Sequence, residues 1–267
     1  SWSPDGRQLA FIGYDAKAGT AQLYLATLSQ APVQMLTSIK GVASTARWSP
    51  DGRQVALLAT VGARKLAGAV EAGARQVGEV GSEDDAQRIA VVPASGGEPR
   101  LLSPADTYVY EYNWTPDGRG FVATSAQGNG DSNWCVAKLS HIDAATGALR
   151  VIASPAMQLN LPSVSPDGKT VAFIGGLMSD FGSIGGDIYT VPLAGGTPRN
   201  VTPDYRGTFN GVVWRGARLL ATALIDSQLA LVPVDAQTGP AQPVLLGEIS
   251  SSGSDGRLSF SADGLQA

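Results

Sequence analysis

The chain has 267 residues, 43% of them hydrophobic, enough to bury a sizeable core within one repeat array. A formal net charge of −4 and a pI near 5.0 argue against an electrostatic hold on nucleic acid, and no apolar run reaches the length of a membrane-spanning helix. The lone Cys135 and lone His141 can build neither an internal disulfide nor a His/Cys metal site, so no metal and no cofactor is expected.

The first strand ends at Trp2, which opens the run W-S-P-D-G, and close copies of that run punctuate the chain. They stand at Trp48–Gly52, Trp114–Gly118 (Thr for Ser), Val164–Gly168 (Val for Trp) and Phe260–Gly264 (Ala for Pro), with an eroded copy at Trp214–Gly216. One unit thus recurs roughly every 50 residues with one wider interval after Trp48, the signature of an all-β β-propeller of four-stranded antiparallel blades. Pro50 presets φ for a tight turn, Asp51 can bond backbone amides, and Gly52 accepts a positive φ, so each copy predicts a hairpin bend.

In chain order, the first unit continues through Leu9–Ile12, Leu23–Ala26 and Val33–Leu36. The second takes Arg47 and Trp48, Val55–Val61, Ile89–Val92 and Arg100–Leu102. The third adds Phe121–Thr124, Cys135–Leu139 and Leu149–Ile152, and the fourth Val171–Ile174, Ile188–Val191 and Pro198–Val201. The fifth comprises Gly211–Trp214, Leu219–Leu224, Leu229–Val232 and Val244–Leu246. Gly-rich turns at Ala94–Gly97, Ala145–Gly147 and Leu193–Gly196 fall at one phase of the repeat, as hairpin loops would. The domain expectation is one propeller over 1–267, with blades at about 1–37, 47–103, 113–153, 163–202 and 211–246 and a partial blade at 258–267. About five units and the start of another lead us to expect a piece of a longer chain, with the ring incomplete. The compartment, bacterial periplasm or cytoplasm, is left open.

In a four-stranded blade the A-to-B and C-to-D turns share one face, and here they are uniformly short. The other connections hold the elaboration, at Gly62–Gln87, Ala126–Asn133 and Gly175–Asp187, so that face is expected to meet a partner or substrate. Glu83, Asp84 and Asp85 in the first insertion read first as hydrated surface and second as holders of a substrate amino terminus. G-N-G-D-S-N-W in the second carries calcium-type oxygen ligands without EF-hand spacing or a closing Glu, which favours loop-ordering roles for Asp131 and Asn133. Asp180 lies in the third insertion and Asp187 at its end. Polar residues recur before the third strand at Gln22, Gln87, Asp187 and Gln228, so Asn133 and Asp187 are expected to be structural first and functional second. No G-x-S-x-G elbow and no phosphate-cradling loop occurs, and His141, in a short polar break next to Asp143, is expected to be a surface or blade-packing histidine. Paired carboxylates for glycoside chemistry stay open as a third reading.

The run F-I-G-G-L-M-S-D-F-G-S-I-G-G-D-I-Y from Phe173 to Tyr189, with P-R-N-V-T-P from Pro198 to Pro203, resembles the noncatalytic propeller of bacterial prolyl oligopeptidase family serine peptidases. D-S-N-W-C-V-A-K-L from Asp131 to Leu139 is similar to the same family's third strand and its approach, whereas the W-S-P-D-G repeats are shared with TolB-like propellers. The resemblance implies a domain that caps an α/β-hydrolase domain of the same parent chain and admits short peptide substrates. The triad would belong to that hydrolase domain, so no catalytic residue is expected here. Dipeptidyl peptidase members use a Glu pair from the propeller, and no adjacent Glu-Glu occurs in this sequence. Arg215-Gly216-Ala217 replaces Pro-Asp-Gly in the fifth unit, whose first hairpin should differ. The alternative is a TolB-like module that binds protein partners and performs no chemistry.

Overall fold

The computed structural model describes residues 1–15, 20–28, 30–63, 86–128, 131–178 and 184–247. They form five antiparallel sheets, each traced by strands adjacent in sequence, as expected of propeller blades. The first joins β1 (Gln8–Asp15), β2 (Thr20–Thr27) and β3 (Gln30–Met35), with Trp2 bridged to Leu9 where an inner strand would lie. The second runs β4 (Gly41–Trp48), β5 (Gln54–Val61), β6 (Arg88–Pro93) and β7 (Arg100–Leu101). The third runs β8 (Thr107–Trp114), β9 (Gly120–Gln127), β10 (Lys138–Asp143) and β11 (Leu149–Ala153). The fourth runs β12 (Gln158–Val164), β13 (Thr170–Gly176), β14 (Asp187–Pro192) and β15 (Arg199–Asn200). The fifth runs β16 (Thr208–Arg215), β17 (Arg218–Ile225) and β18 (Gln228–Asp235), whose outer edge pairs with both β19 (Gly239–Pro240) and β20 (Leu245–Gly247).

The chain divides into two compact units, Ser1–Ala137 with His141–Arg150, and Lys138–Ser140 with Val151–Ala267. In the first unit, β5 shows why a strand can be apolar throughout. Val55, Leu57 and Ala59 join a cluster with Ala10, Leu23 and Leu25 of the first sheet. The intervening Ala56 and Leu58 join Val109, Tyr112 and Phe121 of the third. Both faces of the strand are covered, so the sequence reads as a continuous apolar run instead of an alternation. In the second unit Leu159, Phe173, Ile174, Ile188, Phe209, Leu219 and Val232 are buried.

The W-S-P-D-G turns repeat atom for atom. The hydroxyl of Ser3, Ser49, Thr115 or Ser165 donates to the Asp two residues on, at 2.5–2.6 Å. The same oxygen accepts the amide of the residue that opens the next strand, at 2.9–3.0 Å. Each Asp also accepts the amide two residues further on, and each Gly, at φ between 68° and 73°, donates to the carbonyl of the Ser or Thr. The fifth sheet departs, as its sequence anticipates. Gly216 and Ala217 make a two-residue loop with positive φ at Gly216 alone, and Arg215 pairs directly with Arg218.

Two expectations need correction. Cys135 does not open the third strand of the third sheet. Residues Asp131–Val136 wind into a 3₁₀ turn and the strand starts at Lys138, which lengthens that connection to 128–137. The inner strands also begin earlier than the apolar runs suggest, at Gly41, Thr107, Gln158 and Thr208. Each contains a register shift, within 44–47, 109–111, 160–163 and 209–211, and such a bulge turns the alternation over partway along.

Candidate functional site

Indole groups tie neighbouring sheets at one place in the repeat. Trp48 Nε1 donates to the carbonyl of Ser1, and Trp114 Nε1 to that of Arg47, both at 3.1 Å in the first unit. In the second unit Trp214 Nε1 donates to Ser163 at 3.1 Å. The acceptor is always the residue just before the aromatic position of the preceding sheet. A second tie comes from the P-R pairs: Arg100 donates to the carbonyls of Ala144 and Ala145, and Arg199 to that of Gln237, each in the C-to-D turn of the next sheet. These contacts hold the scaffold on which the long connections are mounted.

The polar residues flanking those connections are largely used by the scaffold. In the first unit Asn133 Nδ2 donates to the Gln127 carbonyl at 3.1 Å, and Gln127 Nε2 reaches Asp106 Oδ2 at 3.4 Å. In the second unit Asp187 accepts from Asn200 Nδ2 at 2.8 Å and from the Thr202 hydroxyl at 3.3 Å. Thr202 in turn accepts the Ile188 amide at 2.9 Å. Gln22 with Thr37 repeats this arrangement, the Thr37 hydroxyl donating to Gln22 Oε1 at 2.8 Å and accepting the Leu23 amide at 3.0 Å. Ser103 accepts the Ile89 amide likewise, and Arg88 donates to the Ser103 carbonyl. Asn133 and Asp187 are therefore loop-ordering groups. Asp131 opens the 3₁₀ turn, whereas Glu83, Asp84, Asp85 and Asp180 lie outside the described residues.

In the first, second and fourth sheets a Ser or Thr that the sequence reading did not single out follows the outermost strand. Its signal is the recurring L-T, L-S and V-T at Leu36-Thr37, Leu102-Ser103 and Val201-Thr202. The sequence reading also passed over the apolar side chains left in solvent at the B-to-C end of the sheets. Tyr14, Val61 and Val136 are exposed in the first unit, and Leu177 in the second is 95% exposed. Just inside them the second unit buries Asn160 and Met178, with Asn160 Nδ2 donating to Met178 Sδ at 3.1 Å.

At the short-turn ends of the sheets the turn carboxylates are held low. The Ser49 hydroxyl and the Arg53 amide hold Asp51 below the usual carboxylate range, and the corresponding bonds do so for Asp5, Asp117 and Asp167. His141 is pushed down by burial and by Arg150, against the opposing pull of Asp143 and Asp117. Its ring lies against Gly120, where a Cβ would run into it, so of the surface and packing roles open to it His141 takes the packing one. Cys135 is exposed. Among the described residues no three His, Cys, Asp or Glu side chains come together as a metal site.

No family model and no curated protein matches the chain. Among solved structures, a putative TolB from Agrobacterium tumefaciens matches with TM-score 0.58 and 19% identity, over 99% of this chain and 85% of that one. An oligogalacturonate lyase in complex with manganese matches with TM-score 0.70 and 19% identity, over 96% and 67%. An acylaminoacyl peptidase in complex with Z-Gly-Gly-Phe-chloromethyl ketone matches with TM-score 0.58 and 14% identity, over 93% of this chain and 38% of that one. The chain therefore spans well under half of the peptidase and most of the TolB. At these identities the likeness is one of fold, and the fold is that of a β-propeller, with TolB and prolyl oligopeptidase-type peptidases among its structural neighbours.

Proposed function

We propose that these residues are the noncatalytic propeller of a prolyl oligopeptidase family serine peptidase, capping a hydrolase domain of the same polypeptide and admitting short peptides. The observation that carries this reading is the one-ended elaboration of the sheets. Within the second and third sheets tight turns join the described strands at one end and the connections at 62–87 and 128–137 leave from the other, and within the fourth sheet the connection at 177–186 leaves from the end opposite its own tight turns. Exposed Tyr14, Val61 and Val136 surround that end in the first unit, with polar groups already committed to the scaffold. A surface of this kind can exclude or admit a chain without taking part in bond cleavage. The peptidase neighbours, matched over only 34–38% of their length, are consistent with a part that works beside a larger remainder.

The test has two arms. The 267-residue polypeptide should hydrolyse no chromogenic short peptide and take no label from a serine-directed fluorophosphonate. The parent protein should do both. A parent protein that is never labelled would contradict the proposal.

A second reading, a TolB-like module that binds a protein and performs no chemistry, is favoured by the 85% coverage of the Agrobacterium TolB. It predicts a stable protein partner in a pull-down and a parent chain without hydrolase activity.

A further inference from the structure

Gln22, Arg88 and Asp187 hold one position in the repeat, each directly before the residue whose amide is accepted by Thr37, Ser103 or Thr202. The Gln22 amide is spent on Thr37 and on both backbone groups of Ile39, and the Asp187 carboxylate is taken up by Asn200 and Thr202. Arg88 departs from this pattern. Its guanidinium gives Nε and Nη2 to the single carbonyl of Ser103, and no carboxylate among the described residues pairs with it. The group is half-buried, and burial lowers its hold on its proton. A cation placed so, with one edge of its fork still free, is costly until something anionic completes it.

Strand register brings this cation to the cleft between the first and second sheets, both in the first unit. Alternate residues Ala10 and Ile12 of β1 meet Val55, Leu57 and Ala59 of β5 in one cluster there. Tyr14 continues the first series and Val61 the second, while Arg88 pairs with Ala59 and shares its face, as Ala90 and Val92 do deeper in the same cluster. On the side of the long connections the cleft thus ends in a tyrosine 72% exposed, a valine 52% exposed and a guanidinium.

We propose that Arg88, Tyr14 and Val61 form a subsite for the C-terminus of a short peptide, with Arg88 taking the terminal carboxylate and Tyr14 and Val61 an apolar last side chain. The free edge of a guanidinium meets a carboxylate through two parallel bonds. A terminal carboxylate carries its side chain on the adjacent carbon, so a single ligand residue uses both the charge and the apolar surface. A free amino terminus is repelled by the same cation. That the ligand is a peptide rests on the substrate reading above; the preference for a carboxylate rests on Arg88 and stands without a hydrolase domain.

The test is calorimetric titration of the 267-residue protein with N-acetyl-Gly-Phe and with its C-terminal amide. The acid should bind about tenfold more tightly than the amide, the worth of one charge-assisted bond, and the difference should shrink at high salt. Arg88→Gln should abolish the preference, and Arg88→Lys, which keeps the charge without the paired edge, should keep part of it. Tyr14→Ala, at an exposed position where folding is undisturbed, should weaken the acid severalfold and leave the ratio of acid to amide unchanged. Equal binding of acid and amide, binding of neither, a preference that survives Arg88→Gln, or an affinity untouched by Tyr14→Ala would overturn the proposal. An acid preference in a chain whose parent protein takes no fluorophosphonate label would keep the subsite and remove the peptidase reading. A labelled parent protein with no acid preference would do the reverse.

Discussion

Replacing Tyr112 with Phe isolates one bond in the contact between the second and third sheets. Tyr112 is fully buried in the cluster with Ala56, Leu58 and Ile89, and its hydroxyl donates to the carbonyl of Thr45 at 2.7 Å. Thr45 sits in the β4 bulge at φ +52°, a left-handed conformation that a β-branched residue adopts only when its surroundings impose it. Burial drives the phenol's ionisation far above the ordinary tyrosine range, so it acts only as a neutral donor. Phe keeps the ring and its edge contact with Phe121, 5.6 Å between centroids, and removes only the oxygen. The loss leaves the half-buried Thr45 carbonyl without this donor, which costs about 0.5–1.5 kcal/mol. For a protein of this size that corresponds to a fall in melting temperature of roughly 2–4 °C per kcal/mol. Urea unfolding followed by tryptophan fluorescence should give a lower midpoint at unchanged slope. Tyr14→Phe, at an exposed site, should leave the midpoint where it was. Equal midpoints for Tyr112→Phe and wild type would refute the claim that this phenol holds the bulge.

Other expectations follow from the same geometry. Ser49→Ala removes both the donor to Asp51 and the acceptor for the Gln54 amide, and should cost about 1–2 kcal/mol in urea unfolding; Ser49→Thr, with the chemistry of Thr115, should restore most of it. Stability should fall with acid in two steps. His141 is held below its ordinary 6.5, so the unfolded chain binds its proton first, and that contribution, complete above about pH 6.5, declines as pH drops through and below it. The turn carboxylates are held below 3.8, so their contribution is complete above that pH and lost only as pH falls towards their lower folded values. Replacing His141 with Gln should remove the upper step alone in a pH series of thermal melts. Deleting residues 64–85 and closing the gap with a short turn should leave the melting temperature within a few degrees of wild type, because β5 and β6 pair from Gln54–Pro93 to Ala59–Arg88 outside that segment.

The turns were legible because W-S-P-D-G writes its backbone into its residue types. Pro50, Asp51 and Gly52 each restrict or release φ, and the observed bonds follow from them. Ser49 was legible in principle, yet its double role emerges only when its hydroxyl meets both Asp51 and Gln54. The inner strands were obscured by their bulges. G-V-A-S-T-A-R-W shows no alternation because the register shifts between Ser44 and Arg47, so only its last two residues looked like strand. Cys135–Leu139 misled because apolar residues in D-S-N-W-C-V satisfy a 3₁₀ turn as readily as a strand end. At the candidate site, Asp187 binds Asn200 and Thr202 at the start of β14 much as Gln22 binds Thr37, a recurrence visible in the repeat, whereas Asn133 lies in the 3₁₀ turn and binds Gln127, which the repeat did not show. The exposed Leu177 and Val136 could not be told from core residues, since periodicity does not say which end of a strand is uncovered.

The measurement that bears most directly on the proposed role is a length series of peptides presented to the parent protein with and without residues 64–85. Short peptides should be cleaved at similar rates by both, while long, unstructured peptides should be cleaved appreciably only by the shortened form. Loss of cleavage of all lengths, or an unchanged size limit, would contradict a propeller that selects substrates by admission.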